Sequence, residues 1–444
     1  MCTFDVGGVT VGSHESGKKA GMQTGGNVEA QGAPQDLQTG PQDQGEPARE
    51  TGKSRIAVYV LLALSFALGC TEFTIIGIEP DIASSLGVEL SGVGNLVGYF
   101  AVSYAVSTPI IVLSTGRFRR FPLFCVFLAV FNAGNILAIV APSYETLLAA
   151  RILTAVVSGV LLSTVMTFIN DIVPREKTAR IISFVYAGFS VASVLGTPIG
   201  TLLSDSFGIK SAFIAVEGVA LLVTVLLLVS VPRSGSTDVS AKVRDQLVIL
   251  KDRRIILVLV MKSCGMAATY VFYVYVTPTL ENGLGLSVWA TSIVLFFYGA
   301  ATIVSNLGSG SIAQRFGLAK MPIMFGLQAL VLFALGASLG SGNVALAVVN
   351  VVLTGVFIYH MNAPLQSYLL QVSTKDYPRA LTLASAVMPT SSDIGIATGS
   401  FMGGVVASGP GFVWAGPIGA LFAIVSVVAA FMILQPESRM KVKR

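Results

Sequence analysis

The sequence predicts an all-α membrane protein with twelve transmembrane helices in two six-helix bundles and both termini cytoplasmic. Three observations predict it. The chain is 53% hydrophobic and 11% charged, whereas a soluble domain carries about 25% charged residues. From residue 56 onward, apolar runs recur at about 20 residues, the length that crosses a ~30 Å hydrocarbon core as a helix. Lys and Arg gather in alternate connecting segments, as cytoplasmic loops require.

Residues 1–54 are rich in Gly, Gln, Ser and Asp, cannot bury enough apolar surface to fold, and form a disordered cytoplasmic tail. The first long apolar run starts at Ile56, too far from the terminus for a cleavable signal, and an internal start at Met22 stays open. Spans are placed near 56–78, 92–113, 121–141, 144–170, 180–203, 211–231, 255–280, 289–313, 321–340, 344–371, 380–407 and 411–434. The longest polar interruption after the tail, 232–254, is a cytoplasmic linker between an N-terminal bundle, 55–231, and a C-terminal bundle, 255–436. A basic tail, 437–444, follows.

With the N-terminus inside, the cytoplasmic segments hold Lys53/Arg55, Arg117/Arg119/Arg120, Arg175/Lys177/Arg180, Arg233 to Arg254, Arg315/Lys320, Lys375/Arg379 and Arg439 to Arg444. The opposite loops hold only Lys210. A miscounted span would scramble that alternation. The net charge of +5 therefore reports membrane topology and not nucleic-acid binding. Cys2, Cys70, Cys125 and Cys264 have no metal or redox spacing, and no cofactor is implied. The halves echo each other: Arg117 and Arg315 are 198 residues apart, and Arg180/Arg379, Gly196/Gly395 and Gly200/Gly399 are each 199 apart. Two parallel repeats holding a substrate between them can rock against each other.

Four stretches resemble a known family: TEFTIIGIEPDIASSLGV (Thr71 to Val88), Arg151 followed by Gly159, LGTPIGTLLSDSFG (Leu195 to Gly208) and NAPLQSYLLQ (Asn362 to Gln371). They are similar to motifs of the major facilitator superfamily, in its drug and sugar efflux branch. The resemblance implies a twelve-span transporter, a cavity lined by the seventh span, a peripheral sixth span, and a Gly/Pro-rich antiporter motif in the fifth. There are departures. Gly116 and Gln314 stand where an Asp is usual before Arg117 and Arg315, so the basic half of that gate is present without its acidic partner. Glu79 replaces an expected leucine, Asp393 stands where Asn is common, and Lys262 where an apolar residue is usual.

Ionisable residues inside a span are expensive, so Glu72, Arg151, Glu217, Lys262, His360 and Asp393 each need a reason. Glu72 and Arg151 lie about 9 and 10 Å below the outer ends of their spans and can meet. Glu72 is then either a cavity acid whose proton affinity depends on Arg151 and substrate, or half of a fixed ion pair. Asp393, about 20 Å above the cytoplasmic end, is too deep to snorkel. It can line water, hydrogen-bond Ser391 and Ser392, exchange a proton with His360, or sit in a satisfied interhelical bond. Lys262, about 10 Å in, snorkels by default or turns inward toward Asp393. Glu217 reads as structural. Tyr270, Phe272, Tyr273 and Tyr275 precede Pro278 and offer aromatic walls with polar tips, or an interfacial belt.

The expected function is proton-coupled efflux of a small drug-like or sugar-like solute by alternating access. Glu72 and Asp393 carry the proton; Glu72, Arg151, Tyr270, Tyr273, His360 and Asn362 line the cavity; and Arg117, Arg315, Gly196, Pro198, Gly200 and Gly399 serve gating and helix packing. The protein is expected to be a monomer in the cell membrane with substrate, protons and lipid as its partners. Uptake or facilitated transport of a sugar or nucleoside is the alternative. A membrane enzyme lacks nucleotide, metal and nucleophile motifs, with only His14 and His360 as histidines; a channel lacks a repeated filter-like loop.

Overall fold

The computed structural model describes residues 52–115, 118–172, 175–230 and 247–441. Within them the chain is helical, in fifteen α-helices joined by short turns. The first half holds α1 (Gly52–Gly77), α2 (Glu79–Leu86), α3 (Leu90–Thr115), α4 (Arg120–Val140), α5 (Tyr144–Ile172), α6 (Arg175–Phe207) and α7 (Ile209–Ser230). The second holds α8 (Arg253–Tyr273), α9 (Val276–Pro278), α10 (Val288–Phe316), α11 (Met321–Gly340), α12 (Val344–Val356), α13 (Asn362–Asp376), α14 (Leu381–Ser408) and α15 (Ala415–Lys441).

Three helices start where a polar side chain takes up an orphan N–H: Asp252 accepts from Arg254, Ser287 from Ala290 and Asn343 from Leu346. α2 ends at Gly87, whose φ of 64° is left-handed and free of Cβ strain only for glycine. Among the described residues, nine helices are long and apolar enough to cross a membrane: α1, α3, α4, α5, α7, α8, α10, α11 and the stretch Phe412–Gln435 containing most of α15. α6 and α14 are also long, at 33 and 28 residues.

Two runs read from the sequence as single spans are broken, and a proline explains each break. The run 255–280 unwinds at Val274 and Tyr275, then resumes as α9 and a π turn, Thr279–Gly283. Pro278 has no N–H, and its ring opposes the carbonyl four residues back, at Val274. The run 344–371 splits into α12 and α13 with Phe357–Met361 between them, where Pro364 stands four residues after His360. The freed N–H of Tyr359 donates to Ser305 Oγ of α10 at 2.9 Å. α1 stops in the same way before Pro80, which lies 198 residues before Pro278.

α1 packs on α6, and α8 packs on α14 and α15. The halves meet along two seams, α3 against α14 and α6 against α10. Toward one end the halves are tied by hydrogen bonds. Ser400 Oγ donates to Gly94 O at 2.7 Å, Tyr275 OH to Ser91 O at 3.3 Å, and Thr277 Oγ1 to Ile76 O at 2.8 Å. This end, which the charge pattern predicts to be non-cytoplasmic, is the outer end below. At the inner end Arg254 clasps Asp252 at 2.7 Å and Asp376 at 2.6 Å, joining the start of α8 to the end of α13. That guanidinium holds the Asp252 carboxyl below the usual carboxylate range.

On α7, Leu221, Leu222, Val225, Leu226 and Val229 all face outward and exposed; on α11 Leu330 and Phe333 do the same. Apolar faces of that extent do not occur on soluble monomers and fit hydrocarbon.

Close helix contact is concentrated at particular glycines. A Cβ on Gly399 would lie 2.7 Å from Ala267 O and from Tyr270 Cβ, and one on Gly299 would lie 2.5 Å from Val194 Cα across the α6–α10 seam. A Cβ on Gly196 would meet nothing nearer than 3.7 Å. Gly399→Ala is expected to cost about 1–3 kcal/mol by overpacking, and Gly196→Ala to gain up to about 1 kcal/mol in helix propensity. Thermal unfolding in detergent checks the opposite signs.

Candidate functional site

Glu72 sits on α1 between the buried Thr71 and Phe73, yet its own side chain is only half-buried. Arg151 of α5, 3% exposed, reaches α1 but does not grasp the Glu72 carboxylate. It donates through Nη1 to Thr71 O and through Nη2 to Glu72 O at 3.5 Å, and its guanidinium lies 4.3 Å over the Phe100 ring. Its charge is near enough to act on Glu72, but no ion pair fixes the acid. The arginine pins the main chain that carries Glu72 and leaves the carboxylate to face the other half. A small cavity behind the pair is lined by Thr71, Thr74, Asn135, Arg151 and Thr154. Glu217, buried on α7, stands beside Asn135.

Across the seam Glu72 meets aromatic rings. Tyr270, Tyr273 and Tyr359 lie within its electrostatic reach, as does Asp393. Tyr270 and Tyr273 of α8 meet edge to face with centroids 5.4 Å apart. Tyr273 stacks on Tyr298 of α10 at 4.8 Å, nearly parallel at 10°. Tyr270 and Tyr273 lie in the last turn of α8 and Tyr298 within α10, while Tyr359 lies in the break before Pro364, where its N–H is bonded to Ser305 of α10.

In the second half Lys262 is 5% exposed and points inward, so the snorkelling expected from its sequence position does not occur. Its ammonium donates to Asn362 Oδ1, and Asn362 Nδ2 donates to Asn306 Oδ1 at 3.1 Å, linking α8, α13 and α10. Asn362 is placed for this by being the first residue of α13 after the break. Asp393, half-buried on α14, is within electrostatic reach of both Lys262 and Glu72. Ser391 and Ser392, expected to hydrogen-bond Asp393, instead donate to Met388 O at 2.8 and 3.2 Å, because a helical serine reaches its own preceding turn. Ser263 of α8 donates to Ser391 O at 2.7 Å and holds α14 in place.

His360 is buried with its ring edge-on to Phe325 at 5.0 Å, its Nδ1 against Phe357 O and its Nε2 without a partner. Its contacts are aromatic and main chain. Arg315 ends α10 exposed, and Arg117 lies outside the described residues. Pro198 lies inside α6; Gly200 packs on Thr74 of α1 and Gly399 on α8, so both serve contacts within a half. The halves themselves approach at Gly94, Gly98 and Gly299. Sequence reasoning missed Tyr298, Tyr359 and Asn306. Each is a polar residue in an apolar run, a signal shared with many residues that simply pack.

Two acids, each within electrostatic reach of a cation, Glu72 of Arg151 and Asp393 of Lys262, thus lie close to a cluster of buried tyrosines. The chain matches the Major Facilitator Superfamily over residues 61–380. It belongs to that superfamily. The major facilitator chain is 32% identical over 378 residues to the MFS-type transporter YtbD of Bacillus subtilis (strain 168), covering 85% of this chain and 95% of that one. It is 27% identical to the inner membrane transport protein YdhP of Escherichia coli (strain K12), covering 86% and 97%. Among solved structures, the D-xylose-proton symporter shares its fold with a TM-score of 0.68 at 14% identity, over 85% of this chain and 97% of that one. This major facilitator protein is therefore a multi-pass membrane transporter.

Proposed function

We propose that this transporter is a proton-coupled exporter of a small drug-like or sugar-like solute, of the superfamily's drug and sugar efflux branch, working by alternating access. The observation that carries the reading is the Glu72 carboxylate. It is half-buried at the seam, beside but not paired with Arg151, and within reach of Tyr270, Tyr273, Tyr359 and Asp393 on the other half. An acid so placed is charged or neutral according to whether one proton is bound, and its neighbours move relative to it when the halves rock. Asp393 is the second proton carrier, held against Lys262. Tyr270, Tyr273 and Asn362 contact the solute. The nine apolar helices, with α6, α14 and the broken α12–α13 pair, make twelve crossings with both termini cytoplasmic, and the protein works as a monomer in the cell membrane.

A thermal-shift screen over sugars, nucleosides and amphipathic antibiotics first finds a ligand, which is then followed in proteoliposomes under an imposed pH gradient. Gradient-driven flux is expected to run opposite to the proton and to fall to background in Glu72→Gln, with that variant still folded and inserted. Full flux by Glu72→Gln removes the assignment, and flux in the direction of the proton turns the reading into symport.

A further inference from the structure

Glu79 has no part in that cavity. It opens α2 just beyond the apolar stretch Ile56–Gly77, it is 0% exposed, and neither carboxylate oxygen has a hydrogen-bond partner. Other buried charges have polar neighbours: Arg151 has carbonyls, Lys262 has an amide, and Glu217, whose oxygens are likewise unbonded, has Asn135 beside it. Glu79 has only its surroundings. α2 packs against α3 and α9, two elements that take part in the outer-end bonds: Thr277 of α9 on Ile76, and Tyr275 and Ser400 on Ser91 and Gly94 of α3.

No cation is available to it from those elements. Residues 76–115 and 263–314 contain no Lys, Arg or His, and neither does α14. The titratable groups around it are phenols and acids. Tyr275 is within its electrostatic reach from the turn between α8 and α9, and Tyr144, at the start of α5, is within reach of Tyr275. Asp81 shares its helix; Glu89, bonded to Ser91, precedes α3; and Glu281 of the π turn is within reach of Asp81 and of Asp205 at the end of α6. An ionised carboxylate without a partner or counter-charge is not stable in such a place, whereas a protonated one is tolerated.

We propose that Glu79 is a proton-binding site in the outer gate: the closed seam holds it as the neutral acid, and opening the seam releases that proton to the outer side. Burial pushes its carboxyl well above the usual carboxylate range, and Glu281 nearby is pushed up to about 7, first by burial and then by the charges of Asp81 and Asp205. The sign follows from the proton count. The closed state keeps a proton that a water-exposed Glu79 gives up above pH ~4.3, so closure is favoured by acid outside. The closed-to-open ratio falls by about tenfold for each pH unit until the closed-state value is reached. The inference rests on the alternating access proposed above, but not on Glu72 as the coupling acid.

The test is hydrogen exchange of the full-length protein in nanodiscs from about pH 5.5 to 8.5, followed at residues 91–98 and 400–406 on the two sides of the seam. Wild-type rates are divided by those of Glu79→Gln at the same pH, which cancels the chemical exchange rate. The ratio is expected to rise steeply with pH, by up to about tenfold per unit. Glu79→Leu, a second neutral variant, is expected to behave as Glu79→Gln, and Glu72→Gln to keep the wild-type response. A flat ratio, or a wild-type response in either neutral variant, overturns the proposal. Loss of the response in Glu72→Gln also overturns it by assigning the proton to the central acid, and leaves the proposed coupling role standing. Full gradient-driven flux by Glu72→Gln with the Glu79 response intact removes that coupling role alone.

Discussion

Replacing Lys262 with methionine is expected to destabilise the protein by about 3–5 kcal/mol, and adding Asp393→Asn to the same chain is expected to recover most of the loss. Methionine keeps the length and the packing of the stem, so the effect isolates the charge. Lys262 is almost wholly buried and supplies both the donor to Asn362 and the positive charge facing Asp393. Without it Asp393 must hold a charge in a low-dielectric wall, take up a proton or draw in water, and Asn362 Oδ1 loses its donor. Asp393→Asn alone strands Lys262 in the same manner. Removing both charges removes the problem, as replacing whole buried pairs often does. Thermal unfolding of the four proteins in detergent closes the cycle, with a coupling of at least ~1 kcal/mol expected between the two sites. Strict additivity would mean that the two charges do not sense each other.

Arg151→Met should be comparably damaging for a different reason. The guanidinium ties two main-chain carbonyls of α1 to α5 and covers the Phe100 ring at 4.3 Å. Hydrogen bonds from a charged donor are worth about 1.5–3 kcal/mol each, and the cation over the ring adds ~0.5–2 kcal/mol. Because the carbonyls belong to Thr71 and Glu72, the loss also loosens the segment that aims the Glu72 carboxylate. Arg151→Lys keeps the charge but cannot fork to two oxygens. It is expected to restore less than half of the lost stability and to leave pH-gradient-driven flux well below wild type. A lysine variant equal to wild type in unfolding temperature and in flux would show that charge alone suffices.

Helix existence was readable because each apolar run exceeds the bilayer thickness and ends in polar or glycine punctuation, as at Gly87 and Gly208. Helix continuity was less so. The breaks at Val274–Tyr275 and Phe357–Met361 lie among apolar and aromatic residues, and their cause stands four residues downstream, at Pro278 and Pro364. Reading the prolines as part of the run, and not as opponents of the carbonyl one turn back, merged helices that the structure separates. Among site residues, Glu72, Arg151, Lys262 and Asp393 announced themselves by cost, since a charge within an apolar run demands a reason. Their partners did not. A main-chain carbonyl has no sequence signature, so nothing marked Thr71 O as the acceptor for Arg151, and Ser391 lies nearer to Asp393 in sequence than Asn362 does to Lys262.

The amino-acid order by itself determined that this chain is a helical membrane protein, because hydropathy and charge are summed along the polymer and need no long-range contact. Tertiary structure alone decided which charges meet. It turned Lys262 inward to an amide 100 residues away, gathered tyrosines from α8 and the α12–α13 break around one carboxylate, and buried Glu79 without a hydrogen-bond partner. Electrostatic energies depend on separation in space and on what excludes water, and both are set only when the helices pack.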